Sequence, residues 1–141
     1  MVFTSEVRVR FAETDALGHV NNTSFFIYIE VGRIDFLSAI GASSSIEDWR
    51  YVVAHVSCDF LAQAYLNEEL IVTSVVSHIG TKSFTLSHDI IRKSSGEKVA
   101  QGKAVLIHYN FETEESEPIP DWTREKLETF RLEGEEAGGE Q

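Results

Sequence analysis

Glu13-Thr14-Asp15-Ala16-Leu17-Gly18-His19-Val20-Asn21-Asn22-Thr23-Ser24-Phe25 runs straight into a long apolar segment, Phe26 to Ile40. Short polar residues and a glycine thus precede a helix-like pattern. Asn22, Thr23 and Ser24 are all good N-cap residues, so a helix is expected to begin there. A helix start exposes unpaired N–H groups and partial positive charge. It can therefore polarise a carbonyl oxygen or hold an anion. Asp15 lies seven residues before Asn22, within reach of a loop that folds back. A carboxylate facing a carbonyl held by helix amides is a hydrolytic arrangement. The same residues also suit a plain turn: Asp15 closing an Asx-turn, Gly18 at positive φ, Asn22 capping the helix.

At about 100° per residue, Phe25, Phe26, Ile27, Ile29, Ile34, Phe36, Leu37 and Ile40 cover more than half the helix circumference. Tyr28, Gly32, Asp35 and Ser38 share a narrow polar face. Such a helix is expected to be nearly surrounded. Glu30 and Arg33 fall inside the apolar arc, three residues apart, where they can pair. Glu30 either forms that ion pair at the rim of the core or faces the same pocket as Asp15.

Outward from the helix, the chain reads as strands and turns. Val7, Val9 and Phe11 alternate with Arg8 and Arg10, a half-buried strand over Glu6 to Phe11. Gly41 suits the residue after the helix. Four strand patterns follow: Tyr51 to Ala62, Leu70 to Ile79, Lys82 to Arg92 and Lys98 to Tyr109. Asn67-Glu68, Gly80-Thr81 and Ser94-Ser95-Gly96 separate these strands, which argues for an antiparallel meander. Ala100, Gly102 and Ala104 form a face small enough for a helix to lie close. Asp121 can cap a short helix containing Leu127 and Phe130. The pattern implies an α+β fold, an antiparallel sheet of about five strands wrapped round one long central helix. Residues 1–132 read as one domain, and Glu133 to Gln141 as a disordered acidic tail.

The 141 residues suit one core, and 43% hydrophobic content is ordinary for a globular chain. There is no membrane-length apolar run and no signal-peptide pattern, so the expectation is a cytoplasmic protein that needs no membrane. The formal charge is −11, of which residues 112–117 and 133–141 hold eight acids, leaving −3 on the body of the chain. Without a basic stripe, nucleic-acid binding is not expected. The single Cys58 excludes an intrachain disulfide and reads as a buried thiol. No Cys–His set has zinc spacing, and no glycine-rich phosphate loop is present, so no metal is expected. His55, His78, His88 and His108 fall in strand patterns with no catalytic spacing and read as structural.

The stretch Glu-Thr-Asp-x-x-Gly-His-Val-Asn-Asn, followed by Phe25, Tyr28, Glu30 and Arg33, resembles the signature of hotdog-fold acyl-CoA thioesterases of the 4-hydroxybenzoyl-CoA thioesterase-like group. Asp59-Phe60-Leu61 with Ala64, Lys82-Ser83-Phe84 and Gly102-Lys103-Ala104 add weaker matches, and together they span roughly residues 5 to 130. The first Asp of the usual motif is Glu13 here; the second, catalytic in the family, is retained as Asp15. The resemblance implies a hotdog fold working as a homodimer or homotetramer, with sites between subunits. It implies an acyl-CoA substrate, coenzyme A being part of that substrate and no separate cofactor being needed. Asp15 would act as nucleophile or general base, with the carbonyl oxygen against amides near Asn21, Asn22 and Thr23. His19 and Glu30 join the catalytic set. Gly18, Asn21, Thr23, Phe25, Phe60, Lys82 and Ser83 are the expected substrate-binding residues, with Arg92, Lys93, Lys98 and Lys103 as further phosphate candidates. The alternatives are a thioesterase acting on acyl carrier protein and a non-catalytic acyl-binding module.

Overall fold

The structure, a computed structural model, describes residues 1–43 and 45–132. The acidic tail read from Glu133 lies outside the described residues. Strand β1 (Phe3–Arg8) is followed by a 3-10 turn (Phe11–Glu13) and helix α1 (Asn22–Ala39). Strands β2 (Tyr51–Phe60), β3 (Glu69–Ile79), β4 (Ser83–Arg92) and β5 (Lys98–Asn110) come next. A two-residue strand β6 (Glu115–Ser116) and helix α2 (Asp121–Thr129) complete the described chain.

The strand order is β1-β3-β4-β5-β2, with β6 against β5 and every pairing antiparallel. Register shifts occur at Val53/His55, Val76/His78 and Ile90/Ile91. Such irregularities bend strands, and here they help the sheet curl round α1. At the end of the sheet, β2 pairs only with β5, so among the described residues its other edge is free.

Two glycines allow helix and sheet to approach closely. A Cβ on Gly32 would stand 2.7 Å from Val72 Cγ1, and one on Gly102 would stand 2.6 Å from Ile29 Cδ1. Along α1 the core falls into two clusters. Phe25, Tyr28 and Ile29 pack with Val9, Leu70 and Val72 near the helix start. Phe36, Leu37 and Ile40 pack with Tyr51, Phe84, Leu106 and Leu127 near its end.

Four expectations are corrected. The first strand covers Phe3–Arg8, not Glu6–Phe11, because Glu13 pulls the chain into a turn through the Arg10 amide and guanidinium. Phe11 is 79% exposed as a result. The polar face of α1 is not Tyr28, Gly32, Asp35 and Ser38: Tyr28 and Gly32 are buried. Tyr28 can be, because its hydroxyl has a buried carboxylate to donate to. The helix is also less surrounded than expected, with Ile27 43% exposed beside exposed Glu30 and Asp35. Finally, α2 is capped by Pro120, and Asp121 is its first residue.

Candidate active site

Between β1 and α1 the chain builds a small hairpin. Thr14 and Val20 form an antiparallel bridge. The Asp15 amide donates to the His19 carbonyl at 2.8 Å, and the Asn21 amide to the Glu13 carbonyl at 2.8 Å. Gly18, at φ +84°, closes the tip, where a side chain would be strained. Asp15 makes the expected Asx-turn: its Oδ1 accepts from the amides of Leu17 (2.9 Å) and His19 (3.2 Å). Oδ2 takes no hydrogen bond from any described residue. One carboxylate oxygen is thus locked while the other keeps its acceptor capacity.

The helix starts one residue earlier than its sequence pattern suggests. Asn21 is the N-cap, its Oδ1 accepting from the Thr23 amide (2.9 Å) and hydroxyl (2.8 Å). This consumes the Thr23 amide, and the Asn21 amide is held by Glu13. Of the three amides expected to face a carbonyl, only that of Asn22 has no partner among the described residues.

A cleft of about 530 Å³ opens over this arrangement, lined by Asp15, His19, Asn22, Phe25 and Phe60. Leu17 and Val20 from the hairpin, and Leu61, Ala62 and Gln63 after β2, complete its walls. The hairpin is tied to that segment by the Val20 amide, which donates to the Ala64 carbonyl at 2.8 Å, and by a bridge between His19 and Tyr65. The His19 ring stands edge-on to Tyr65 at 5.3 Å. Phe60 meets Phe25 at 5.7 Å and Phe26 at 6.2 Å, an apolar floor. The sequence pattern does not mark Leu61 to Gln63 as a wall of the site. Their place depends on the Leu61 and Ala62 amides turning onto the Val99 carbonyl, a contact no local pattern announces.

Gly18, Asn21 and Thr23 shape the hairpin and the cap rather than line the cleft. Glu30 is not brought to this cleft. It lies eight residues along α1 from Asn22, about 12 Å at helical rise, with its side chain 58% exposed and 3.6 Å from Arg33. Arg33 is buried, and burial lowers its pKa against the opposing pull of Glu30.

Lys82 and Ser83 are also elsewhere within this chain. The Lys82 carbonyl accepts from the His108 amide, and His108 pairs with Tyr51 at the far end of β2 from Phe60. The length of β2 puts them roughly 30 Å from the cleft. The other basic candidates are engaged: Arg92 with Glu68 and Glu97, Lys93 with Glu6, Lys98 with Asp89. Lys103 also has a partner.

Cys58 is half-buried on β2, and burial followed by the nearby Asp59 pushes its thiol up to about 11, so it is no nucleophile at neutral pH. His88 is buried in β4, its Nδ1 3.0 Å from Ser74 Oγ, and it does not line the cleft. Among the described residues no three His, Cys, Asp or Glu side chains converge on a point where a metal could sit, and no helix is long and apolar enough to cross a membrane.

The sequence profile of the thioesterase-like superfamily matches residues 9–127, from the end of β1 to within α2. The chain belongs to the thioesterase-like superfamily. Its sheet wrapped on a central helix is the hotdog fold. A predicted thioesterase from Bacillus stearothermophilus superposes with a TM-score of 0.88 at 31% identity, covering 96% of this chain and 100% of that one. A thioesterase complexed with coenzyme A and Zn, from Thermus thermophilus, superposes with a TM-score of 0.78 at 32% identity, covering 88% of this chain and 95% of that one. In sequence, the long-chain acyl-CoA thioesterase FadM of Escherichia coli (strain K12) is 26% identical over 130 residues, 88% of this chain and 96% of that protein.

Proposed function

We propose that this superfamily member hydrolyses acyl-CoA thioesters, with Asp15 as the reacting carboxylate and the Asn22 amide as the donor to the carbonyl oxygen. One observation carries the reading: Asp15 Oδ1 is fixed by two amides while, among the described residues, neither Oδ2 nor the amide of Asn22, which also lines the cleft, has a partner. As the carbonyl carbon becomes tetrahedral, charge builds on its oxygen, where an N–H at a helix start is most stabilising. Oδ2 either attacks the carbonyl itself or takes a proton from the attacking water. The carbon–sulfur bond then breaks and coenzyme A leaves as thiolate, a good leaving group needing no strong acid; where Oδ2 has attacked, water then hydrolyses the acyl–aspartyl anhydride, releasing the acid and restoring the carboxylate. Phe25 and Phe60 would hold the acyl group near the carbonyl. His19, beside Asp15 in the hairpin, would orient substrate or water.

The protein is proposed to work as a homodimer through the free edge of β2. Val53, Val56 and Phe60 are 42%, 38% and 46% exposed along that strand. A two-fold antiparallel pairing of β2 with its copy would place the partner's Tyr51 end beside Phe60 of this chain. Lys82 of the partner subunit would then approach the cleft that this chain's own Lys82 cannot reach, and could bind the nucleotide of coenzyme A. The expected compartment is the cytoplasm.

The test is Asp15→Asn with free thiol detected over a range of acyl-CoAs. The expected outcome is a folded protein whose turnover falls by about three orders of magnitude. Wild-type turnover would remove Asp15 from the chemistry. Rapid-quench single turnover in 18O water then separates the two roles: a trapped acyl–Asp15 anhydride, or label in Asp15, marks a nucleophile, and direct conversion with no acyl–enzyme and label only in the released acid marks a general base. Activity on an acyl carrier protein but not on acyl-CoA would change the donor, and binding of acyl-CoA without hydrolysis would leave an acyl-binding module.

A further inference from the structure

Two residues before Asp15 stands Glu13, 6% exposed, in a position where a charged side chain is costly unless fully satisfied. It is satisfied. Oε1 accepts from the Arg10 amide at 2.9 Å and from the Tyr28 hydroxyl at 2.8 Å. Oε2 accepts from Arg10 Nε at 2.9 Å and Nη2 at 2.7 Å. Its carbonyl oxygen accepts from the Asn21 amide and, at 3.0 Å, from the buried Ser24 hydroxyl. Glu13 therefore stands at the base of the hairpin whose next rung holds Asp15, and through Tyr28 and Ser24 that base is fastened to the first two turns of α1.

This matters because Asp15 and the Asn22 amide belong to different elements. Asp15 rides on the hairpin and the amide on the helix. Their relative placement is set by whatever joins the two, and Glu13 makes both the side-chain and the main-chain joints.

We propose that Glu13 is a positioning residue: its buried carboxylate, clasped between Arg10 and the Tyr28 hydroxyl, fixes the Thr14–Val20 hairpin to α1 and so holds Asp15 in register with the helix start. The proposal rests on the hydrolytic reading of Asp15. Glu13 itself has no free oxygen and does not line the cleft, so it takes no part in proton transfer. Burial pushes its carboxyl pKa up, but the Arg10 and Tyr28 donors outweigh burial and the pKa is lowered, so the clasp is charged at neutral pH.

The experiment compares Glu13→Ala, Glu13→Gln, Tyr28→Phe, the double variant Glu13→Ala/Tyr28→Phe and, as a control, Asp15→Asn. Each is assayed for kcat, KM, pH profile and melting temperature. Misplacing a reacting group by about an ångström costs on the order of 100-fold in rate. Glu13→Ala is expected to lose about that much in kcat with KM nearly unchanged. Glu13→Gln keeps an acceptor for Tyr28 and should lose less. Tyr28→Phe should lower kcat while leaving the shape of the pH profile in place, because the reacting carboxylate is unchanged and only its placement differs. The double variant should be no slower than Glu13→Ala, since both changes open one joint.

Wild-type kcat in the Glu13 and Tyr28 variants, with Asp15→Asn inactive, overturns the positioning role and leaves the hydrolytic reading standing. Losses that multiply in the double variant, or that appear only in KM or melting temperature, overturn it too. Should Glu13→Ala not fold, Tyr28→Phe and Glu13→Gln decide alone. An active Asp15→Asn protein fails the hydrolytic reading first, whatever Glu13 does.

Discussion

Glu13 and His88 are both buried ionisable side chains packed under α1, 6% and 2% exposed, yet the protein treats them in opposite ways. Glu13 sits near the helix start with donors on both oxygens, and it is charged. His88 sits below the middle of the helix, where α1 is closest to the sheet. Its Nδ1 lies 3.0 Å from Ser74 Oγ and 3.2 Å from the Thr73 carbonyl, but its Nε2 is buried with no partner among the described residues. Burial pushes its pKa down; the Thr73 carbonyl opposes this, Arg33 adds to it, and the result is about 4. The same low dielectric thus favours a charge where donors converge and forbids one where they do not. The start of α1 is organised by polar contacts around Asp15, and its middle by close packing.

The comparison breaks most severely at the close-packed middle. Gly32→Val would drive a branched side chain into Val72, since even a Cβ would be 2.7 Å from its Cγ1. Overpacking of this kind costs about 3 kcal/mol or more. A large fall in melting temperature is expected, read by thermal denaturation, while turnover per folded molecule changes little at low temperature.

Acid separates the two groups next. His88 is neutral when folded, so between 6.5 and about 4 only the unfolded chain takes up its proton. Stability present above 6.5 is lost as pH falls across that window, by roughly 3 kcal/mol in total. Glu13, whose pKa is also lowered, stabilises by being charged: its contribution is intact while His88 begins to act and is lost only as pH falls below the ordinary 4.5, at the acid end of that window. Urea melts across the pH series should show the first loss, and His88→Leu should flatten it. A wild-type slope in that variant would assign the acid sensitivity to another group.

Tyr28→Phe sharpens the contrast from the polar end. It removes one of several donors to Glu13, so the stability cost should be only about 1 kcal/mol, well below its effect on kcat. A stability loss as large as that of Gly32→Val would make the clasp part of the core rather than part of the site.

The smallest effect belongs to Lys82→Ala. A residue touching a remote part of the substrate should raise KM for acyl-CoA a few-fold and leave kcat and a short acyl thioester unaffected. In heterodimers mixed from Asp15→Asn and Lys82→Ala chains, one of the two clefts would lack both residues and the other would keep both if Lys82 serves across the subunit boundary. Equal effects on acyl-CoA and on the short thioester would make Lys82 structural.

Much of the site was legible because it is local. Asp15, Gly18, His19 and Asn22 lie within eight consecutive residues, and the Asx-turn, the positive φ and the cap follow from short side chains in that stretch. The strand patterns are equally local, and Phe84, Leu86, His88 and Ile90 all face inward as their alternation requires. Glu30 and Lys82 escape such reading for a shared reason. Periodicity tells which residues share a face, but Glu30 shares its face with exposed Ile27, and Lys82 lies at the wrong end of the sheet for this chain's cleft. Tyr28 and Gly32 look polar by composition, yet both are buried, one through Glu13 and the other through Val72.

The amino-acid sequence by itself determined the α+β class, the central helix, the consecutive antiparallel strands β3, β4 and β5 and the hairpin that carries Asp15, because each rests on contacts between near neighbours in the chain; that β1 joins β3 and β2 joins β5, so that the four long strands are not one simple meander, is set by long-range packing. Only the tertiary structure decided that the Asn22 amide is the unpaired one, that Leu61 to Gln63 wall the cleft, and that Glu13 joins hairpin to helix. Those depend on contacts between segments far apart in sequence, whose register is set by the packed sheet and not by any local preference.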